Sequence, residues 1–381
     1  MTTLDSQVVN IAEFCDGISR LMKQRDATNV RIISAMQRLG PRNLLEVSRR
    51  TRIPFTSVYN RVRKLEPNGR RIVHLLPALS KCGLVSMTVL TKAKAGSEDK
   101  VTQALKVPGY WRSIARCEGD FTHHSTHQVP PSLTKQYRQY LKEISRRGLG
   151  DSNTTIVTGD FQPNATNFSY YDTGKREWKF PWHIWLRGLT KQRVSKVIDD
   201  PNSYDVRLDR RDLVMVEEFE KDGRATFADL SKILGITLQA VKYRYDKKLR
   251  VQGIVRNFWI DFTPYPPELS ALYEIFVQFP SGVAMNRLYS YLPELFFVIG
   301  LTKVVKSDAF ILRVYIPESQ ITNLYRFLSE LCKRKALLSY SAIRLRSDTE
   351  QRRTIPEEMF NDQNGWMFDY KKNISKLKAL V

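Results

Sequence analysis

The chain has 381 residues, and 42% of them are hydrophobic, which is enough to build several cores and excludes a chain that is disordered over most of its length. Lys and Arg number 61 against 39 Asp and Glu, so the formal charge is +22. So large a positive excess favours a polyanion, nucleic acid above all, as the partner. The length predicts several domains, because a single core rarely serves so long a chain.

The cysteines and the apolar runs indicate the compartment. Cys15, Cys82, Cys117 and Cys332 are scattered and lack the paired spacing of a metal site, so we expect buried thiols in a reducing cytoplasm. No apolar run approaches the roughly 20 residues of a membrane helix, and the N-terminus has no signal-peptide pattern. We therefore expect a cytoplasmic protein.

An internal repeat with a period of roughly 180 residues organises the chain. In the first copy, apolar spacing predicts short helices at 30–39, 44–47 and 58–65. Asn68 and Gly69 favour a turn, and the apolar run 72–75 predicts a strand. The order of helix, helix, turn, helix and strand indicates a winged helix-turn-helix.

The second copy repeats this order. Its helices are predicted at 213–219, 230–234 and 241–249, with Gly235 at the turn.

After each winged helix comes the strand, helix, strand, strand, helix, strand order of a ferredoxin-like domain. In the first domain the predicted strands are 83–91, 110–117, 120–128 and 152–158, and the helices are 98–107 and 132–147. In the second domain the strands are 272–279, 295–305, 309–316 and 337–345, and the helices are 283–292 and 318–334. The fold class is therefore α+β, with two winged helix-turn-helix domains alternating with two ferredoxin-like βαββαβ domains.

Seven segments follow from this division. They are 1–25, an N-terminal helical extension; 26–79, the first winged helix; 80–159, the first α/β domain; 160–206, a connector; 207–262, the second winged helix; 263–347, the second α/β domain; and 348–381, a C-terminal extension. The connector belongs to neither copy of the repeat and is rich in aromatic residues. Its rings favour packing on the domains that it joins, and a stacking platform for bases is the alternative.

The second copy resembles the Lrp/AsnC, or feast/famine, family of transcription regulators. The resemblance rests on the run LDRRDLVMVEEFEKDGRATFADLSKILGITLQAVKYRYDKKLRVQGI at 208–254. The family's features are matched by Leu208, Asp209, Asp212, the turn Asp222, Gly223 and Arg224, Leu230 and Gly253. Residues 26–76 repeat the plan less faithfully, and the α/β segments are similar to the family's effector-binding domain.

The resemblance covers about four-fifths of the chain, and it implies DNA binding, a small-molecule effector such as an amino acid, and an archaeal source. The family pairs two chains through their α/β sheets. Two copies in one polypeptide imply that this pair forms inside one chain, as a pseudo-dimer that can assemble further into a homo-oligomer.

The third helix of each winged helix is the expected recognition helix, whose outward side chains enter the major groove of double-stranded DNA. The expected DNA-binding residues are Thr56, Ser57, Tyr59, Asn60, Arg61, Arg63, Lys64, Arg70 and Arg71 in the first copy, and Thr237, Gln239, Lys242, Tyr243, Lys247 and Lys248 in the second. We place Ser57, Asn60 and Arg61 near bases, and Arg63, Lys64, Arg70 and Arg71 near phosphates.

The two copies differ in charge. Residues 28–71 contain 11 basic and 2 acidic side chains, whereas residues 208–256 contain 11 basic and 8 acidic ones. We expect the first winged helix to dominate affinity and the second to contribute register or a partner contact.

The family resemblance also implies an effector site. In that family a Gly-Asp turn between the second and third strands lines the small-molecule site, and Gly119 and Asp120 are at this position here. A plain hairpin turn is an equal alternative. Ser307 and Asp308 occupy the second copy's turn, which argues against a second effector site.

Three histidines on one predicted strand raise the question of a metal. Alternation places His123 and His127 on one face of the strand and His124 on the other. A metal site needs three or four convergent ligands, so we expect structural histidines and no metal or other cofactor.

The scaffold is also shared with siroheme decarboxylases, which pair two such units around a tetrapyrrole. No matching His-rich active-site motif, phosphate loop or nucleophile elbow is present, so we predict no catalysis. The sequence thus predicts a sequence-specific, nucleoid-associated transcription regulator. A tetrapyrrole enzyme and a basic architectural or RNA-associated protein are the alternatives.

Overall fold

The computed structural model describes residues 24–66, 72–255, 257–262 and 264–380. The first winged helix has three helices, α1 (Ala27–Leu39), α2 (Leu44–Thr51) and α3 (Phe55–Lys64). Asp26 begins α1, because its side chain accepts a hydrogen bond from the backbone N–H of Asn29 at 2.8 Å. Apolar side chains from all three helices form one small core, as their helical spacing predicts.

Three helices of the second winged helix follow the same plan, as predicted. They are α7 (Arg210–Lys221), α8 (Phe227–Leu234) and α9 (Leu238–Tyr243), and α9 continues as one π-helical stretch, Arg244–Arg250. Both α7 and α8 begin in capping boxes, in which an N-cap side chain and an aspartate three residues later exchange hydrogen bonds with each other's backbone. Helix starts in the two copies are 183 residues apart, since Asp26 corresponds to Asp209.

The predicted wings are wrong in one respect. Strand β1 (Val73–Leu76) of the first copy pairs with β9 (Asn257–Ile260) of the second, antiparallel, with His74 opposite Trp259. Within the described residues, each strand therefore finds its partner in the other copy and not in a hairpin of its own. The two winged helices share one two-stranded sheet.

Further contacts hold the two winged helices together. The backbone N–H of Gly223 donates to the carbonyl of Val73 at 2.7 Å, and a Cβ at Gly223 would lie 2.8 Å from the Val73 side chain. Glycine is therefore required at this turn because β1 passes so close to it. Arg224 forms an ion pair with the buried Glu66.

The first α/β domain has the predicted ferredoxin-like order. Its elements are β2 (Val85–Ala93), α4 (Glu98–Lys106), β3 (Trp111–Glu118), β4 (His123–Val129), α5 (Thr134–Arg146) and β5 (Gly150–Thr158). The strands lie in the order β5, β2, β4, β3, all antiparallel. Both helices pack on the outer face of this sheet through residues such as Leu105, Tyr137 and Tyr140.

The second α/β domain repeats this order. Its elements are β10 (Ser270–Gln278), α10 (Gly282–Tyr291), β11 (Val298–Lys303), β12 (Ala309–Pro317), α11 (Ile321–Lys333) and β13 (Ser339–Leu345). Its strands lie in the order β13, β10, β12, β11.

The two α/β sheets join at both edges. Strand β3 pairs with β13, with Cys117 opposite Leu345, and the result is part of one ten-stranded sheet. At the other edge, Thr158 at the end of β5 bridges to Val304 after β11. The inner faces share an apolar cluster that includes Leu90, Leu272 and Ile343. The predicted pairing of the two halves therefore lies within this one chain.

The connector is part of the repeat, contrary to the sequence-based division. It contains β6 (Gln162–Pro163), β7 (Tyr171–Asp172), β8 (Glu177–Trp178) and α6 (Trp182–Lys191). The C-terminal segment has the same plan, with β14 (Gln351–Arg352), β15 (Phe360–Asn361), β16 (Gly365–Trp366) and α12 (Tyr370–Lys378). Each copy thus ends in a short hairpin and a helix.

These two tails cross over. In the first tail, Trp178 stacks on Phe296 of the second α/β domain at 4.6 Å between ring centroids, and Trp185 is fully buried. In the second tail, Phe368 packs 5.8 Å from Tyr137 of the first α/β domain. The packing interpretation of the aromatic connector is therefore correct.

The thiols differ in part from expectation. Cys82 is buried, but Cys117 and Cys332 are only partly covered. Cys15 lies outside the described residues. In the part of the chain that the structure describes, no helix is both long and apolar enough to cross a bilayer.

Candidate nucleic-acid interface

Helix α3 presents a continuous polar face to solvent. Val58 and Val62 are buried in the core of the first winged helix. The exposed side chains on the opposite face recur at helical spacing and include two of the three cations of the last turn. They are Thr56, Tyr59, Asn60, Arg63 and Lys64. Five of the expected DNA-binding residues therefore lie on one accessible surface.

Arg61 does not belong to this surface, and its placement near bases is a correction. Its guanidinium donates to the carboxylate of Asp26 at 2.7 Å and to the side-chain oxygen of Asn29 at 3.1 Å. Burial alone would raise the pKa of Asp26, but the hydrogen bond from Arg61 lowers it below its usual value. Arg61 therefore fastens the recognition helix to α1. Ser57 is half-buried beside it.

The second recognition helix presents an equivalent face. Gln239, Lys242, Tyr243 and Lys247 are exposed. Thr237 is the N-cap of α9, and its hydroxyl accepts from the backbone N–H of Ala240 at 3.2 Å. The hydroxyl oxygen of Thr237 therefore caps the N-terminus of α9.

Lys248 points back into the second winged helix. Its ammonium group contacts Asp209 at 3.1 Å and Asp212 at 3.0 Å, and Arg244, the counterpart of Arg61, contacts the same two carboxylates. Burial would raise the pKa of Asp209, but the hydrogen bonds from Arg244, the Asp212 backbone and Lys248 lower it to about 2. Lys248 therefore serves the fold of the second winged helix.

Sequence reasoning missed three residues at this interface. Phe55 and Leu238 are the first residues of the two recognition helices, and their side chains are 45% and 49% exposed. The spacing of Phe55 from Val58 and Val62 resembles a buried stripe, which concealed it. An exposed apolar side chain here can contact a thymine methyl group. Arg52, in the turn before α3, is the third.

The remaining expected sites have different positions. Arg70 and Arg71 lie outside the described residues. Gly119, with φ 107, and Asp120 form the exposed turn between β3 and β4. No neighbouring atom of the described residues lies within 4 Å of the place of a Gly119 Cβ. The turn is open to solvent, and its role as an effector site stays a prediction.

The three histidines are all buried, with the predicted alternation. His123 contacts the hydroxyls of Thr102 and Thr122, at 3.0 and 2.9 Å. His127 contacts the hydroxyl of Tyr137 at 2.6 Å. His124 faces the space between the two sheets, and its Nε2 has no hydrogen-bond partner among the described residues. Within the described ranges, no group of three or more His, Cys, Asp or Glu side chains is placed to hold a metal.

Comparisons with known proteins point to the helix-turn-helix. A family model described as winged helix-turn-helix DNA-binding matches residues 208–256. An uncharacterised HTH-type transcriptional regulator of Pyrococcus horikoshii is 29% identical over 131 residues, which cover 34% of this chain and 84% of that protein. A second such regulator, of Pyrococcus furiosus, is 28% identical over 126 residues, which cover 32% of this chain and 79% of that protein.

Two solved structures are similar in fold to most of this chain. The siroheme decarboxylase NirDL has a TM-score of 0.52 at 13% identity, over 91% of this chain and 98% of its own. Its complex with an iron-uroporphyrin III analogue has a TM-score of 0.54 at 13% identity, over 88% of this chain and 94% of its own. At this identity the likeness shows the fold alone.

Proposed function

We propose that this chain, a winged helix-turn-helix protein and a homologue of HTH-type transcriptional regulators, is a DNA-binding regulator that reads two unlike half-sites at once. The observation that carries the proposal is the pair of exposed recognition faces on helices held by a shared sheet. The faces differ at four of their five positions, because only Lys64 has the same residue, Lys247, as its counterpart. The differing pairs are Thr56 and Gln239, Tyr59 and Lys242, Asn60 and Tyr243, and Arg63 and Asp246.

The charge of the two faces supports unequal roles. Each face has two exposed cations, Arg63 and Lys64 on the first and Lys242 and Lys247 on the second. The second face also carries an acidic residue, because the counterpart of Arg63 is Asp246, which pairs with Arg250 at 3.5 Å. Phosphate contacts supply most of the affinity for DNA, and base contacts supply specificity. We propose that the first winged helix anchors the chain and that the second sets register.

We propose a regulator rather than an enzyme, because both sequence relatives are transcriptional regulators and the decarboxylase shares only the fold with this chain. Double-stranded DNA is the proposed partner. We therefore propose that the protein is found at the nucleoid. An asymmetric operator is the proposed target.

The experiment is sequence selection from random duplex DNA, with affinity for the selected sequence measured across a salt series. Wild type should enrich one asymmetric motif. Arg63→Glu with Lys64→Glu should lower affinity at all salt concentrations and reduce the salt slope by about 2, one for each phosphate that is no longer neutralised. Lys242→Glu with Lys247→Glu should have a smaller effect on affinity.

The matched control is Lys135→Glu with Arg138→Glu, two exposed cations on α5 of the first α/β domain. It makes the same change in net charge away from both recognition helices. No enriched motif, or equal losses of affinity in the control and the α3 variant, would refute the proposal.

A further inference from the structure

A cavity that is partly open to solvent lies between the two α/β sheets, beside the sheet shared by the winged helices. Its volume is about 470 Å³, within the roughly 300–1,000 Å³ typical of small-molecule sites. Much of the wall is apolar, with Leu75, Leu79, Phe161, Trp259 and Ile311 among the lining side chains. The exposed Gly119–Asp120 turn is not part of this lining.

Two buried polar groups in this wall lack partners. The Nε2 of His124 and the Oε1 of Gln128 make no hydrogen bond with any described residue, although the two side chains are 2% and 7% exposed. An unsatisfied buried polar group costs about 1–3 kcal/mol. Both residues lie on the same face of β4, about 13 Å apart along the strand. They mark two separate points at which a bound molecule would form hydrogen bonds.

The charges of the wall are balanced among themselves. Four guanidinium groups line the cavity, and each has a carboxylate partner in the protein. The pairs are Arg112 with Glu220, Arg313 with Glu274 and Glu350, Arg352 with Glu350, and Arg353 with Glu358. His124 adds no charge, because burial and the nearby Arg313 lower its pKa to about 3. A polyanion would find no uncompensated cation among the described lining residues, and burying unpaired charges is costly.

The cavity joins the parts of the molecule that a regulator must couple. Leu75 on β1 and Trp259 on β9 come from the sheet that the winged helices share, and Ser86 and Thr302 come from the two α/β sheets. Glu220, on helix α7 of the second winged helix, binds Arg112 of β3 and accepts from the backbone N–H of Ile355 at 2.6 Å. A molecule in the cavity therefore touches the winged helices and both sheets at once.

We infer that this cavity is a regulatory site for a mainly apolar small molecule without net negative charge, which hydrogen-bonds to His124 and Gln128. Its occupancy sets how the winged-helix pair sits on the α/β domains and so changes affinity for DNA. The binding site stands on the cavity alone, whereas its regulatory effect rests on the proposed function. A ligand acts in this way only through different affinities for the two positions of the winged helices.

The test uses N-phenyl-1-naphthylamine, an uncharged probe that fluoresces in apolar surroundings and carries one N–H donor. Titration of the full chain should give one saturable site. The sulfonated analogue 1-anilinonaphthalene-8-sulfonate should displace the probe at least about tenfold less effectively, because its charge would be uncompensated.

Two variants fill the cavity from opposite walls, Ser86→Phe and Thr302→Phe, and each should weaken probe binding at least about tenfold, because the added ring occupies the cavity. The matched control is Ser339→Phe, at an exposed position of β13 outside the lining, and it should bind the probe as wild type does. Trp259→Phe is the conservative second variant. It should reduce energy transfer from tryptophan to the probe. This measurement tests the site even if a filled variant does not fold.

Saturating probe should change the affinity of wild type for its selected DNA about fivefold or more, and it should not change the affinity of the filled variants. Absence of saturable binding, or equal binding by the filled variants, would overturn the site. Binding without an effect on DNA affinity would overturn the regulatory role. A chain that binds no DNA either with or without the probe would refute the proposed function instead, and the titration would still decide the site.

Discussion

At Arg52, the residue type that favours stability differs from the residue type that favours a DNA contact. It lies in the turn between α2 and α3 in the left-handed region, with φ 54, where the second copy has Gly235 with φ 60. A side chain in this region costs about 1 kcal/mol or more relative to glycine. Arg52 is exposed in the turn of the helix-turn-helix, and we propose that it contacts a DNA phosphate. The first copy keeps a cation where the second copy has the better turn residue.

Arg52→Gly should therefore lower DNA affinity without lowering stability. We expect the free energy of unfolding to stay equal or rise by up to about 1 kcal/mol, because strain is relieved while unfolded-state entropy increases. The salt slope of DNA binding should fall by about 1. Urea denaturation and a salt series of binding measurements check the two effects, and a loss of stability with unchanged DNA binding would contradict the assignment.

Other residues could not be assigned from sequence at this scale. Arg61 and Arg63 are two residues apart in one basic helix, and both suit a DNA contact. Only the position of Asp26, 35 residues earlier, decides that Arg61 is an internal partner. Phe55 was not singled out from sequence, because its spacing from Val58 and Val62 suits a buried stripe, whereas its side chain is exposed.

At the scale of the elements, Arg42 joins the two winged helices. It belongs to the first copy, yet its guanidinium lies 4.7 Å from the ring centroid of Phe219 and 4.9 Å from that of Phe258, both in the second copy. It also donates to the carbonyl of Ala225 at 2.9 Å. A cation among aromatic rings contributes about 0.5–2 kcal/mol, the upper value where water is excluded. Arg42 therefore fixes the relative position of the recognition helices.

Arg42→Met keeps an extended side chain but removes its charge and its hydrogen bonds. We expect a loss of about 1–3 kcal/mol in the free energy of unfolding, together with weaker binding to the asymmetric operator, since the two helices lose their fixed spacing. Arg38→Met is the control, because Arg38 is exposed and hydrogen-bonds to Ser34 of its own helix. Equal effects of the two changes would argue against this role for Arg42.

At the scale of the whole molecule, the two copies are interlocked by their tails. The tail of the first copy covers the second α/β domain, and the tail of the second copy covers the first. Tyr110 of the first domain, for example, donates to the backbone carbonyl of Met367 at 2.6 Å. Strands β1 and β9 cross between copies in the same way. Each half therefore leaves apolar surface uncovered when it is alone.

We expect the fragments 1–206 and 207–381 to be unstable when produced separately and to form a stable complex when produced together. The reason is that a domain without its covering tail exposes apolar surface that favours aggregation. Size-exclusion chromatography and thermal unfolding measure the outcome. As a control, the intact folded chain cut at a protease site inserted near residue 206 should remain associated, and two independently stable monomeric fragments would contradict the interlocked arrangement.

The elements and the domain classes of this protein follow from local patterns in its sequence. Apolar periodicity located the helices of both winged helices and the strands of both α/β domains, because local spacing and turn residues carry that information. The net charge, the basic third helices and the match at 208–254 pointed to DNA. Five of the expected DNA-binding residues of α3 are exposed, as the same periodicity predicts for positions opposite the buried stripe.

Only the tertiary structure shows which residues of one copy contact residues of the other copy. The pairing of β1 with β9, the crossed tails, the internal partner of Arg61 and the cavity beside His124 all join residues far apart in sequence. A pattern reports which face of an element is apolar, but it does not report which other element covers that face. For this reason the recognition helices could be located from sequence, whereas the inter-sheet cavity could not.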